Sequence, residues 1–287
     1  MKKALGLISV LLLAGCHAAK EVVPDHPRSF AGVAMRDVTF HSAALGRDMP
    51  YRVYLPDHVE AGAKFPVVLL LHGGAGHFWN WSDYSDVGQY AAKGMLLVMP
   101  EGDSYWVNVA EPPGDRYEDY LTGDLLSDVK TRFPAASGRG NLAIVGVSMG
   151  GFAAVKLALT RPDLFAFAGA ISPAVDSPAS GFNWRHVERS LRFRRDFGPE
   201  GSARRKALDP FVLVKTADPG KTPYLYITVG EKEGLRPPNE RFVEELKRRG
   251  FAYEFHTKPG GHDWNQWDAQ LPGCMERLMA RILPTQN

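Results

Sequence analysis

Leu142-Ala143-Ile144-Val145-Gly146-Val147-Ser148-Met149-Gly150-Gly151-Phe152-Ala153-Ala154-Val155-Lys156-Leu157-Ala158-Leu159 sets one serine, flanked by glycines, between two apolar runs. Leu142 to Val147 is apolar without alternation, which is how a strand buried on both faces reads. Gly150 to Leu159 is small and apolar with one charge, and reads as a helix packed on that strand. Between them the chain must turn sharply at Ser148. Side chains at 146 and 150 would collide across such a turn, so glycine at both positions is a steric requirement.

Working outward, the same alternation of buried strand and helix recurs. Upstream, Pro66 to Leu71 is a continuous apolar run ending at His72-Gly73-Gly74, followed by a helical stretch from Ser85 to Lys93, a strand from Met95 to Met99 and a helix from Glu118 to Arg132. Downstream come strand Phe167 to Ile171, strand Tyr224 to Val229, a helix from Asn239 to Arg249 that Asn239 caps and Gly250 ends, strand Tyr253 to His256 and a last helix from about Asn265. This order predicts right-handed βαβ units: an α/β fold with a mainly parallel central sheet and helices on both faces. A hairpin-like pair, Val38 to Phe40 and Tyr51 to Leu55, opens it. One stretch breaks the alternation, from Asp176 to Lys221; it reads as an irregular, arginine-rich insertion above the sheet and before the next strand, its basic residues on a solvated helical face or, as the alternative, on a surface that meets anionic substrate or lipid headgroups.

The chain has 287 residues, 45% of them hydrophobic and 23% charged, which suits one large α/β domain with a substantial core. A net charge of +2 gives no argument for nucleic-acid binding, which normally shows a concentrated basic face. The N-terminus differs in kind. Lys2 and Lys3 precede an apolar run from Ala4 to Ala14, too short to span a bilayer, which reads as a secretory signal. Leu13-Ala14-Gly15-Cys16 is similar to the lipobox of bacterial lipoproteins. The expectation is therefore a signal peptide at 1–16, a lipidated Cys16, a tether at 17–32 and a catalytic domain at 33–287. The protein would be exported and lipid-anchored to the cell envelope, at the outer membrane facing the periplasm. Cys16 and Cys274 are the two cysteines, so lipidation of the first leaves no disulfide in the monomer. Cys274, in the last helix, reads as a buried structural thiol.

The chemistry starts at Gly146-Val147-Ser148-Met149-Gly150, a G-x-S-x-G motif in the strand-turn-helix setting of a nucleophile elbow. The helix N-terminus behind Ser148 offers unpaired N–H groups to a developing oxyanion, with Met149 N–H as first donor. The His72 to Gly76 loop supplies the second, Gly74 before Ala75. His72 and His77 lack a third ligand at a recognisable spacing and read as loop structure, so no metal is expected. A serine needs a base, and three histidines follow it: His186, His256 and His262. His262 follows Gly260-Gly261 beyond the last strand, at the carboxyl edge where catalytic groups of open α/β sheets collect. The orienting acid should follow strand Tyr224 to Val229, where Glu233 has the better offset, Glu231 is its rival, and Asp209 and Asp218 are more distant options. Trp106, Trp264 and Trp267 line a substrate pocket or pack in the core.

With these residues in view, Tyr51 to Ile282 resembles the putative-esterase group of α/β hydrolases, which includes tributyrin esterase, esterase D and the mycolyltransferase antigens. The resemblance is carried by Tyr51-Arg52-Val53-Tyr54-Leu55-Pro56, Leu71-His72-Gly73-Gly74, Ser104-Tyr105-Trp106, Tyr117-Glu118-Asp119-Tyr120-Leu121, Gly146 to Gly151 and Gly260-Gly261-His262-Asp263-Trp264. It implies acyl transfer from an ester to water or another alcohol, without a cofactor. The chain departs from the group at the acid, where Glu233 stands in place of the usual aspartate, and lacks the cysteine-containing oxyanion loop of the S-formylglutathione hydrolases. The expected function is a serine carboxylesterase using Ser148, His262 and Glu233 through an acyl-enzyme, on a small-molecule or glycan ester. The alternatives are an acyltransferase, an acetyl or feruloyl carbohydrate esterase, or a non-catalytic tethered binding protein.

Overall fold

The computed structural model describes residues 25–110 and 114–283. The expected signal segment, the lipidation candidate Cys16 and residues 17–24 of the expected tether lie outside the described residues.

Eight strands form one sheet: β1 (Val33–Ser42), β2 (Arg47–Pro56), β3 (Val67–Leu71), β4 (Leu96–Pro100), β5 (Leu142–Val147), β6 (Phe167–Ile171), β7 (Tyr224–Gly230) and β8 (Tyr253–Lys258). Their spatial order is β1-β2-β4-β3-β5-β6-β7-β8. β1 and β2 are an antiparallel hairpin, and β2 meets β4 antiparallel. From β4 through β8 every pairing is parallel, in register Leu69↔Ile144 and Val145↔Gly169 at the centre. The expected α/β fold is thus borne out. Every residue of β3, β4, β5 and β6 is buried, because helices cover both faces.

The helices are α1 (Asn80–Tyr84), α2 (Tyr117–Asp119), α3 (Leu125–Arg132), α4 (Met149–Thr160), α5 (Val187–Phe197), α6 (Ala203–Lys206), α7 (Pro210–Leu213), α8 (Arg236–Arg248) and α9 (Trp264–Ile282). Strand side chains alternate between two cores. Leu69, Leu71 and Ile144 face one that holds Ala153, Leu157, Phe242 and Leu246 of α4 and α8; Val68, Leu70 and Val145 face another built on Leu271, Cys274, Met275 and Leu278 of α9. Cys274 is buried and unpaired, its thiol pushed up by burial, and seats against Gly169 of β6, where a methyl group would stand 2.5 Å from the sulfur. The described residues therefore hold an eight-stranded sheet, a helical layer on each face and the two cores between them.

Three expectations need correction. The helix expected to start at a capping Asn239 starts at Arg236, because Pro237 and Pro238 fit a first helical turn whose N–H groups have no intrahelical partner. Asn239 is instead buried inside that helix, its side-chain amide donating to Pro173 O and Leu235 O, both at 2.8 Å. The insertion read as irregular is built of short helices, α5 to α7. Arg205 buries its guanidinium there on Pro178 O and Ser180 O (2.6 and 2.5 Å). The domain also starts before Val33. Asp25 grips the buried Arg52 with both carboxylate oxygens (2.9 and 2.5 Å), Tyr54 OH donates to Arg28 O (2.6 Å), and Phe30 packs edge-on against Tyr54. A buried guanidinium needs carboxylates, and two of its neighbours, Asp25 and Asp37, supply them.

Candidate active site

The turn from β5 into α4 holds Ser148 at φ 54°, ψ −110°, a left-handed backbone that a non-glycine residue adopts only when its surroundings enforce it. The enforcing contacts are backbone ones: Ser148 N–H donates to Ile171 O (2.9 Å) and Ala174 N–H donates to Ser148 O (3.2 Å). The glycines make the approach possible. A methyl group on Gly146 would lie 2.3 Å from the Gly150 carbonyl carbon, and one on Gly150 would lie 2.3 Å from Leu71 O. The serine side chain is consequently lifted off the carboxyl edge of the sheet and remains partly accessible.

His262 arrives from the loop between β8 and α9. Its Nε2 lies 2.9 Å from Ser148 Oγ, and its Nδ1 lies 2.8 Å from Glu233 Oε2. The tautomer that satisfies both bonds donates Nδ1–H to the carboxylate and accepts the serine hydroxyl proton at Nε2. Glu233 is buried, and its second oxygen, Oε1, accepts from Ser172 Oγ (2.5 Å) and from Gly230 N–H (2.8 Å). Gly230 must lack a side chain for this, since a methyl there would stand 2.6 Å from Oε1. The structure therefore brings Ser148, His262 and Glu233 into one hydrogen-bonded line. Glu231 is exposed, its N–H spent on Lys258 O. His256 pairs with Glu254 on β8, Asp209 caps α7 through Phe211 N–H, and His186 stands exposed at the start of the insertion helix α5.

Ser172, which directly follows β6, escaped the sequence reading. Its backbone is also left-handed, φ 49°, and is fixed by Ser172 N–H donating to Thr228 O (2.7 Å). A polar residue ahead of Pro173, immediately past a buried strand at the carboxyl edge, was the available signal.

The loop after β3 lies against the serine, as a methyl on Gly73 would sit 3.4 Å from Ser148 Cβ. His72 staples this loop. Fully buried, its Nδ1–H donates to Gly73 O (2.8 Å) while Nε2 accepts from Gly102 N–H (3.2 Å), and burial pushes its pKa down to about 4. His77 and Phe78 N–H both bond Glu101 (3.1 and 3.0 Å). Gly74 and Ala75, which follow Gly73 in this loop, stand exposed, and Met149 opens α4, where helix geometry leaves its N–H without an intrahelical acceptor. No group of three or more His, Cys, Asp or Glu among the described residues could hold a metal ion.

The tryptophans divide differently from expectation. Trp106 is 1% exposed and packs edge-on against His72 at 5.0 Å, so it is core and lines no open pocket. Trp264 is wedged between Trp81 and Trp267 (5.2 and 5.1 Å), while Trp267 is the ring that touches His262, edge-on at 5.0 Å. From the insertion, Arg192 reaches Asp103 (2.7 Å) and the Met149 sulfur (3.8 Å), next to the Ser148 turn. A cavity of about 340 Å³ lies at the opposite, amino edge of the sheet, lined by Val67, Leu126, Leu142 and Leu164 among others, away from Ser148, His262 and Glu233.

Comparison with known proteins gives the family and the fold. The model of the putative esterase family matches residues 42–278. The chain is similar to an acetyl esterase of Caldicellulosiruptor saccharolyticus, 24% identical over 241 residues that cover 82% of this chain and 90% of that protein. It is also similar in structure to FphF, a fluorophosphonate-binding serine hydrolase of Staphylococcus aureus, with TM-score 0.74 and 27% identity over 86% of this chain and 98% of that one. An S-formylglutathione hydrolase of Agrobacterium tumefaciens shares the fold at TM-score 0.77 and 22% identity, covering 90% and 98% of the two chains.

Proposed function

The chain belongs to the putative esterase family and is a serine hydrolase acting on carboxylic ester bonds, and from that premise we propose that Ser148 is its nucleophile, His262 its general base and Glu233 its orienting acid. The observation that carries the proposal is the pair of hydrogen bonds on His262, 2.9 Å to Ser148 Oγ and 2.8 Å to Glu233 Oε2.

In the proposed mechanism Ser148 Oγ attacks the ester carbonyl as its proton passes to His262 Nε2. The carbonyl oxygen takes the negative charge and faces Met149 N–H and Gly74 N–H, dipoles that need no reorganisation. The imidazolium is stabilised by the Glu233 carboxylate and returns the proton to the departing alcohol oxygen. The acyl-enzyme is then cleaved by water, which His262 deprotonates in the same way, releasing the acid and restoring Ser148. Ester, water, acid and alcohol balance without a cofactor.

Hydrolysis is favoured over transfer to another alcohol by access, since the His262 side chain is 38% exposed and Gly74 is open to solvent, so water reaches the acyl-enzyme. The acetyl esterase similarity, which extends over nearly the whole of that protein, favours a short acyl group on a small-molecule or glycan alcohol. Ser148→Ala should lower kcat/KM on p-nitrophenyl acetate by at least about 10⁴-fold with an unchanged circular dichroism spectrum. A fluorophosphonate should add to Ser148, seen as a mass shift on that peptide; activity surviving in the alanine variant would remove Ser148 from the mechanism. Export is proposed on Lys2, Lys3 and the apolar run Ala4 to Ala14, and lipidation at Cys16 on Leu13-Ala14-Gly15-Cys16; metabolic labelling with palmitate, lost in Cys16→Ser, tests the lipidation.

A further inference from the structure

Between β6 and β7 the helix α5 has two unlike faces. Its inner face, Phe193 and Phe197, packs on Tyr105 (5.6 and 4.9 Å), with Phe197 also against Phe152 of α4. Its outer face sets two large apolar side chains, Val187 and Leu191, among the exposed charges of Glu188, Arg189, Arg194 and Arg195. Leu191 is 56% exposed and Val187 39%; in the loop just before, Phe182 is 49% exposed and Trp184 84%, their rings edge to face at 4.8 Å. Phe182 and Leu191 line one shallow depression, so loop and helix form a continuous patch.

The charge around the patch is mainly positive, with Glu188 and Glu200 the acids beside it. Residues 182–195 hold five arginines, at 185, 189, 192, 194 and 195, against one acid, Glu188. Arg192 turns inward to Asp103, and Arg195 to Asp196 and Ser104. Arg185 and Arg189 remain on the exposed surface, the second with its guanidinium over the Phe193 ring at 5.1 Å. Exposed Trp and Phe beside guanidinium groups match the boundary of an anionic bilayer, where indole rings sit at headgroup depth and arginines meet phosphates. A neutral glycan would use the aromatic rings but give the arginines no counter-charge.

We propose that this face docks on an anionic phospholipid surface, with Phe182, Trp184, Val187 and Leu191 entering the acyl boundary and Arg185 and Arg189 on lipid phosphates. Because Arg192 of the same helix reaches Met149, beside Ser148, docking holds the catalytic edge near the lipid surface. This placement is independent of which ester is cleaved and of any lipid on Cys16.

The test uses residues 25–287, which hold the complete sheet and both cores and carry no anchor. Co-sedimentation with vesicles of phosphatidylglycerol in phosphatidylcholine should show binding that weakens with salt, and vesicles of phosphatidylcholine alone should bind little. Trp184→Ser with Leu191→Ser, and separately Arg185→Glu with Arg189→Glu, should each weaken binding at least about tenfold. Both should retain hydrolysis of a soluble short ester, which reports an intact fold, and Lys64→Glu on the far surface should bind like the parent. No binding to anionic vesicles, or binding indifferent to both double variants, overturns the proposal. Retention on insoluble xylan that is lost in Trp184→Ser, without vesicle binding, also overturns it by assigning the face to a glycan.

Discussion

Glu233 and Glu231 lie two residues apart in the same loop, yet only the first has its carboxylate buried on a histidine, a serine hydroxyl and a backbone N–H. Glu233→Gln keeps the shape but can satisfy His262 in the wrong tautomer, so kcat should fall about 10³- to 10⁴-fold, while Glu231→Gln should leave kcat within about twofold. Ser172→Ala removes one of the two donors on Oε1, and a loss of a few-fold to about thirtyfold in kcat with little change in KM is expected. His72 gives a pH signature of its own. Its native pKa lies at about 4 against an ordinary 6.5, so between those values the unfolded chain takes up a proton that the native fold refuses. Stability should therefore fall as pH drops through this window, by up to about 3 kcal/mol, with the full contribution present above pH 6.5. Denaturant midpoints from pH 7 to pH 4 should show a shallower acid slope in His72→Gln than in the parent.

At the scale of elements, the β5–α4 turn is the least tolerant part of the molecule. Gly146→Ala puts a methyl 2.3 Å from a backbone carbonyl carbon that cannot swing aside, and a loss of more than about 3 kcal/mol, or failure to fold, is expected in chemical denaturation. Gly234→Ala, on the loop that carries Glu233, meets nothing within 4 Å and should change stability by less than about 1 kcal/mol. The contrast separates a glycine needed for backbone contact from one that only occupies a loop. The insertion follows a different logic: its inner residues brace Ser104 to Trp106, three consecutive residues at positive φ, through Arg195 on Ser104 Oγ (3.1 Å) and the Phe193 and Phe197 rings on Tyr105.

For the whole molecule, the boundary at Asp25 matters more than its few residues suggest. Arg52 is buried on β2, held by Asp25, Asp37 and Ser82, with its guanidinium 5.6 Å from the Phe78 ring in the loop beside the nucleophile. The N-terminal segment is thereby coupled to the active-site loop. A chain beginning at Val33 loses the Asp25 partner and the Phe30 packing, and should be less stable than one beginning at Asp25 by about 2–4 kcal/mol in equilibrium unfolding. Equal midpoints for the two chains would show that residues 25–32 contribute no more than a tether does.

Local steric and periodic information decided the architecture from the sequence alone. The apolar runs of β3 to β7 could only be strands buried on both faces, and Gly146, Gly150 and Gly151 around Ser148 could only relieve a tight strand-to-helix turn, because both features act over a few bonds. Excluding the other histidines by their position along the chain likewise singled out His262 without coordinates. What lay beyond the sequence were the pairings made across long separations. Ser172 meets Glu233 across the β6–β7 register, Asp25 meets Arg52 across the hairpin, and Trp106 turns inward onto His72. Each depends on where a side chain points once strands have been aligned and cores filled, and packing of distant elements, not any local propensity, sets that direction.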